Sequence, residues 1–161
     1  MSSSATPYGA RPVGTLSASG SFSGKVRHYS IASGYATSIF YGDFVKLVAA
    51  GGVEKDTGTT ACTPVGIFLG VSYTDPNTSQ KTFSQMWTAS VVASDVSAYV
   101  MDDPDVLFEM QGDGTGAQTV IGNNVAVVQT AGSTSIGTSK NAIDISTVAA
   151  TTATLPIRIV D

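Results

Sequence analysis

The sequence predicts an all-β fold: a small β-barrel or β-sandwich of short antiparallel strands, with an extended N-terminal arm. Two observations carry that prediction. Short apolar or alternating runs recur along the chain, separated by turn signals built from Gly, Asp, Asn and Pro. No segment has the apolar periodicity of an amphipathic helix, since Ser and β-branched residues dilute 89–98 and 146–153 to a turn or two at most.

Residues 1–30 read as the arm. They are rich in Ser, Gly and Ala, contain Pro7 and Pro12, and have few large apolar side chains with which to build a core. Phe22, Val26 and Tyr29 are the anchors such an arm offers to a neighbour. Residues 31–161 form the β-rich domain. Within it Tyr41-Gly42-Asp43 opens a strand at Phe44–Val48, and Ala50-Gly51-Gly52 turns the chain into Val53–Lys55. Pro64–Tyr73 is a long apolar strand interrupted by Gly66 and Gly70, and glycine inside a strand marks a bulge or a close backbone approach. After the turn at Asp75-Pro76-Asn77-Thr78, alternation over Lys81–Trp87 puts Phe83, Gln85 and Trp87 on one face. Two exposed aromatics there would make a platform for a sugar, although large aromatics dominate cores. Strand-like runs follow at 98–101, 106–111, 120–128, 142–145 and 155–160, with Asn123-Asn124 as a candidate bend.

Composition limits the functions available. Net charge is −4, and the eight Lys and Arg are scattered, which argues against nucleic-acid binding. No run of eighteen apolar residues is present to span a membrane, and the first residues carry no secretory-signal pattern. Charged residues make up only 12% of the chain, while Ser and Thr number twenty each. A surface of that kind suits extensive contact with other protein, because little charge must be desolvated on binding. The single Cys62 lies in an apolar context and reads as a structural thiol. His28 is the only histidine and has no recognisable nucleophile beside it, so no catalytic residue is assigned. One Cys and one His give no zinc site. Gly112–Gly116 has the glycines of a phosphate loop but not its Lys. No metal or other cofactor is assigned.

The most concentrated chemistry is acidic. Asp102, Asp103, Asp105, Glu109 and Asp113 are five of only twelve carboxylates, gathered in one short window. They could hold a divalent cation, or they could cap a turn between two strands. Their spacing fits no calcium loop, and Pro104 biases Asp103 toward extended backbone, which favours a rigid bend. On that basis Asp102, Asp103 and Glu109 join Phe22, Val26 and Tyr29 as candidate contact residues, with Glu109 placed to meet a cation across an interface.

Several segments together resemble small structural proteins of tailed bacteriophages. They are Tyr41–Leu47, Pro64–Val71, Thr82–Trp87, Tyr99–Pro104, Phe108–Gln111, Ile121–Asn124 and Gly137–Asp144, so the resemblance covers roughly residues 35–161. Among such proteins, capsid decoration, or cement, proteins share the scheme of Gly-Asp, strand, Gly turn, strand and Pro-Val-Gly-Ile that the chain resembles. The resemblance implies a β-rich decoration domain, often a homotrimer, on the outer surface of the capsid, where it locks neighbouring copies of the major capsid protein. A negative net charge suits the outside of a shell better than its DNA-facing lining. A tail or fibre-attachment component and a carbohydrate-binding module on the virion surface are the alternatives.

Overall fold

The computed structural model describes residues 5–16, 24–149 and 155–161. Phe22 lies outside the described residues. The strands are β1 (Arg11–Thr15), β2 (Val26–Tyr29), β3 (Phe44–Leu47), β4 (Val53–Lys55), β5 (Gly66–Thr74), β6 (Lys81–Ser84), β7 (Ser97–Met101), β8 (Val106–Glu109), β9 (Asn124–Val128), β10 (Ala142–Ala149) and β11 (Ile157–Arg158). The only helical element among the described residues is a 3-10 turn at Gln118–Val120. All strand pairings are antiparallel. The fold is all-β, as predicted.

The main sheet has six strands. Five run in the order β2-β7-β5-β3-β4, and β6 lies beside the second half of β5. Ile67 of β5 pairs with both Phe44 of β3 and Met101 of β7, and Ser72 pairs with both Phe83 of β6 and Ser97 of β7. β3 and β6 therefore share one edge of β5, end to end. The register of β5 against β7 shifts between Phe68 and Gly70, the bulge expected from a glycine inside this strand. An added Cβ at Gly70 would sit 3.0 Å from the Ser84 carbonyl oxygen.

This sheet rolls up until its outer strands meet. The Val53 amide, at the start of β4, donates to the Ser30 carbonyl just past β2 at 2.8 Å. Gly52 permits the approach, because a Cβ there would lie 2.6 Å from the same carbonyl oxygen. No β2–β4 ladder forms, so the sheet is rolled and not a closed barrel. The inside of the roll is a dry core of Ile39, Val45, Val53, Phe68, Val71, Trp87, Ala98 and Val100, each at most 1% exposed. The Trp87 indole donates to the Tyr35 carbonyl at 3.3 Å, so the largest core side chain keeps its one polar group satisfied.

A second layer covers part of the outside. It consists of the β1–β8 ribbon and the three-stranded sheet β10-β9-β11. Phe44 and Ile67, the neighbours of inward-facing Val45 and Phe68, point the other way and pack with Ala10, Cys62 and Val127. Phe108, Met110 and Ile157 close over this second core. Apolar side chains on both faces explain why Ile67-Phe68 reads as a continuous apolar run and not as an alternation.

The described residues of the segment read as an arm include two strands, β1 and β2. β1 ladders with β8, from Arg11 opposite Glu109 to Thr15 opposite Val106. β2 is an outer strand of the rolled sheet, laddered with β7 from Val26 opposite Met101 to Tyr29 opposite Ala98. Backbone hydrogen bonds hold both strands with little apolar side chain of their own, which is why a composition poor in large apolar residues gave no warning of them. At the predicted Asn bend, the left-handed residue is Gly122 (φ 85°), and Asn123 instead donates through its side-chain amide to the Thr119 carbonyl at 3.0 Å.

A buried polar junction ties the layers together. Asp43 is fully buried at the mouth of β3. Its Oδ2 accepts the Phe40 amide at 2.9 Å and lies 2.9 Å from the Lys55 ammonium of β4. Its Oδ1 accepts from the Asn141 side-chain amide at 3.2 Å. Asn141 passes the connection on: its Oδ1 accepts the Thr130 amide at 3.1 Å, and its carbonyl accepts the Gly9 amide at 3.2 Å. Gly9 is held at φ 78° with its Cβ position 2.5 Å from Ser139 Cβ, so no other residue fits there. Removing one member of a buried ion pair strands the other charge and costs about 3–5 kcal/mol. Asp43→Ala is thus expected to lower the unfolding free energy by about that amount in urea titrations. Adding Lys55→Met should restore part of the loss, because the stranded ammonium is then gone. A loss below about 1 kcal/mol for Asp43→Ala would show that the junction is incidental.

Candidate interaction surfaces

The groups with catalytic potential sit in quiet surroundings. Cys62 is buried, and burial together with the neighbouring Asp56 carboxylate pushes its thiol up to about 12. Asp56 itself closes the loop it begins: its two oxygens accept the Gly58 amide at 2.9 Å and the Thr63 amide at 2.7 Å. His28 stands on β2 with its ring edge-on to Tyr99, centroids 4.7 Å apart and planes at 89°. Among the described residues, no three His, Cys, Asp or Glu side chains gather closely enough to hold a metal ion.

The acidic segment is a corner that carries the chain from β7 in the rolled sheet to β8 in the ribbon. Asp103 Oδ1 accepts the Asp105 amide at 3.0 Å, and the Asp103 carbonyl accepts the Val106 amide at 3.3 Å, so an Asx turn builds the bend before and after Pro104. The corner also receives β1 and β2. The Leu16 amide donates to the Asp105 carbonyl at 2.8 Å, and the Lys25 amide to Asp103 Oδ2 at 3.3 Å. Asp102 Oδ2 accepts the Tyr29 hydroxyl at 2.7 Å and lies 3.3 Å from Arg27 Nε. Glu109 accepts the Tyr8 hydroxyl. Each of these carboxylates raises the pKa of the phenol that donates to it, Tyr29 beside Asp102 and Tyr8 beside Glu109.

Five of the six candidate contact residues therefore fall within one region, and the structure joins several of them to one another. Tyr29 packs on the inner core and Asp102 keeps only 4% of its side chain exposed, so that pair is engaged within the chain. Val26 remains 39% exposed on β2. Asp103 and Glu109 take their donors from residues 25, 105 and 8 of the same chain, which ties the corner to the segment read as an arm.

Two surfaces stand open among the described residues. The first is a groove of about 780 Å³ where the corner, the β1–β8 ribbon, the β3–β5 end of the rolled sheet and the final strand meet. Phe44, Val65, Val106 and Ile157 line it, with Leu16 on its rim. The second is the part of the outer face of the rolled sheet that the second layer does not reach. There His28 stands opposite Tyr99 and Ser72 opposite Phe83, and the Tyr99 hydroxyl donates to Ser72 Oγ at 3.1 Å. The row crosses β2, β7, β5 and β6. A shallow depression of about 560 Å³ runs beside it between Tyr41, Leu69, Phe83 and Gln85. Phe83 is 73% exposed, the most exposed large apolar side chain among the described residues.

Alternation along 81–87 placed Trp87 beside Phe83, but β6 ends at Ser84. Trp87 then enters the core through a bridge to Ile39 and is 0% exposed. No two-ring platform of Phe83 and Trp87 exists. The outward aromatic that lines the same depression as Phe83 is Tyr99, which only the strand pairing brings near it. A scan against protein-family models and searches of curated proteins and solved structures found no match for this chain.

The state of Cys62 has a measurable consequence. The folded chain holds the thiol proton up to about pH 12, against an ordinary value of 9.0, so the unfolded chain releases it first. The stability it contributes is whole below about pH 9 and is lost as pH rises toward 12. Urea unfolding at pH 8 and pH 11 should show a smaller drop for Cys62→Ala than for the native chain, and equal drops would contradict the assignment. Iodoacetamide at pH 8 should label the chain only in denaturant.

Proposed function

We propose that this chain is a non-enzymatic structural protein of a tailed-phage virion. It decorates the outer face of the head shell as a homotrimer and cements neighbouring copies of the major capsid protein. The observation that supports this best is the open outer face of the rolled sheet among the described residues, where exposed Phe83 lines the same depression as Tyr99 in a chain poor in charge. Burying a phenylalanine side chain on binding is worth roughly 1.5–3 kcal/mol, and aromatic anchors of this kind dominate interface energetics. Ser, Thr and Gly around it add little desolvation cost.

The mechanism is linkage. A protein that binds only the assembled shell stabilises that state by the free energy of binding, and several linked copies multiply the effect through effective concentration. A two-layer body held by strand ladders suits this role, because ordered backbone loses little conformational entropy on docking. The resemblance of residues 35–161 to decoration proteins favours the head as the location.

The test adds purified protein to expanded, undecorated shells of the phage that encodes it. Sedimentation is expected to show saturable binding and a higher rupture temperature of the shell. Phe83→Ser should weaken binding at least tenfold while leaving the melting temperature of the free protein within a degree or two, since the ring is exposed. Absence of binding to shells, or labelling of tails in electron micrographs, would contradict the reading.

A further inference from the structure

The groove beside the acidic corner contains a feature that its neighbours do not explain. Asp102 is almost wholly enclosed, with 4% of its side chain exposed. Its Oδ2 is satisfied twice, by Tyr29 and Arg27. Its Oδ1 is buried and has no hydrogen-bond donor. Buried carboxylate oxygens are normally paired, and an orphan in a native fold calls for a partner. Asp102 lines the groove, and so do Asp103, Glu109 and Asp161, against a single guanidinium, that of Arg158. The rest of the lining is largely apolar, including Phe44, Val65 and Ile157. Residues 1–4, 17–23 and 150–154 contain neither Lys nor Arg, so no basic side chain can come to Asp102 from those stretches. The β1–β8 ribbon that forms one wall is two strands wide, so one edge of β8 has no strand beside it among the described residues.

We infer that this groove is a docking site for an extended segment of a partner protein that carries a Lys or Arg flanked by apolar side chains. The basic group meets the carboxylate wall and supplies the donor that Asp102 Oδ1 lacks. The flanking apolar side chains fill the space between Phe44, Val65 and Ile157. An extended backbone lies along the open edge of β8, in the manner of strand addition. The site is distinct from the aromatic face, and the inference does not depend on the partner being a capsid subunit.

The test uses two labelled, end-blocked peptides of alternating Val and a second residue, Lys in one and Gln in the other. Their binding to the full chain is followed by fluorescence anisotropy. The Lys peptide is expected to bind saturably, with affinity falling as salt rises, and the Gln peptide at least tenfold more weakly. Asp102→Asn should cost the Lys peptide about tenfold or more. Leu16→Arg, at a rim residue 60% exposed, should abolish binding without lowering the melting temperature, so it decides the matter if Asp102→Asn folds poorly. Phe83→Ser should bind the Lys peptide like the native chain, which separates failure here from failure of the decoration reading. No saturable binding, equal binding of the two peptides, or indifference to Leu16→Arg would overturn the inference.

Discussion

The contact on which the rest of the structure depends is the buried pair of Asp43 and Lys55. A carboxylate and an ammonium taken out of water carry a large desolvation penalty, which is offset only if further hydrogen bonds complete both groups. Here the Phe40 amide and the Asn141 side chain complete Asp43. The Lys55 ammonium lies 5.6 Å from the centroid of the Phe40 ring. The requirement that all these partners be present at once fixes where four distant stretches of chain meet. They are the corner at 40–43, β4, the loop at 130, and the segment 139–141 with Gly9 stacked against it. An apolar core would tolerate small slips among these pieces; a half-satisfied carboxylate does not.

That fixed junction has a consequence for the surface. With Gly9 and Ala10 held at the junction, β1 is delivered to β8, and the second layer lies over the Phe44–Ile67 end of the rolled sheet. The layer stops there. Among the described residues the Tyr99–Phe83 end of the same face is open, and the groove opens where the corner, the ribbon and the last strand converge. Both candidate surfaces are thus what the second layer, as described, does not cover. The one thiol of the chain lines neither surface: it is buried and protonated at neutral pH.

Much of the fold was legible locally. The glycine-marked bulge in β5, the Asx-Pro corner and the turn at Gly51-Gly52 each follow from the chemistry of two to four adjacent residues. What escaped depends on pairing across long separations. The β1 and β2 ladders need only backbone groups, so a segment poor in apolar side chains gave no sign of them. Gly42-Asp43 was readable as a turn before a strand, but an aspartate is seldom buried, and its partners Lys55 and Asn141 lie 12 and 98 positions away. The candidate surfaces were legible in part. Phe83 and the acidic corner stood out by type, but the Tyr99–Phe83 row appears only when four strands are laid side by side. Extending the alternation past Ser84 put Trp87 on one face with Phe83; the core reading holds for Trp87 and fails for Phe83.

Native-state hydrogen exchange tests the central claim most directly, through the amides of Phe40, Thr130 and Gly9, which donate to Asp43 or to Asn141. If the junction is one cooperative unit, all three should exchange with the same free energy, equal to that of global unfolding measured with denaturant. Exchange of the Gly9 and Thr130 amides by low-energy local opening, while Phe40 stays protected, would show that the layers are held independently and would contradict the account.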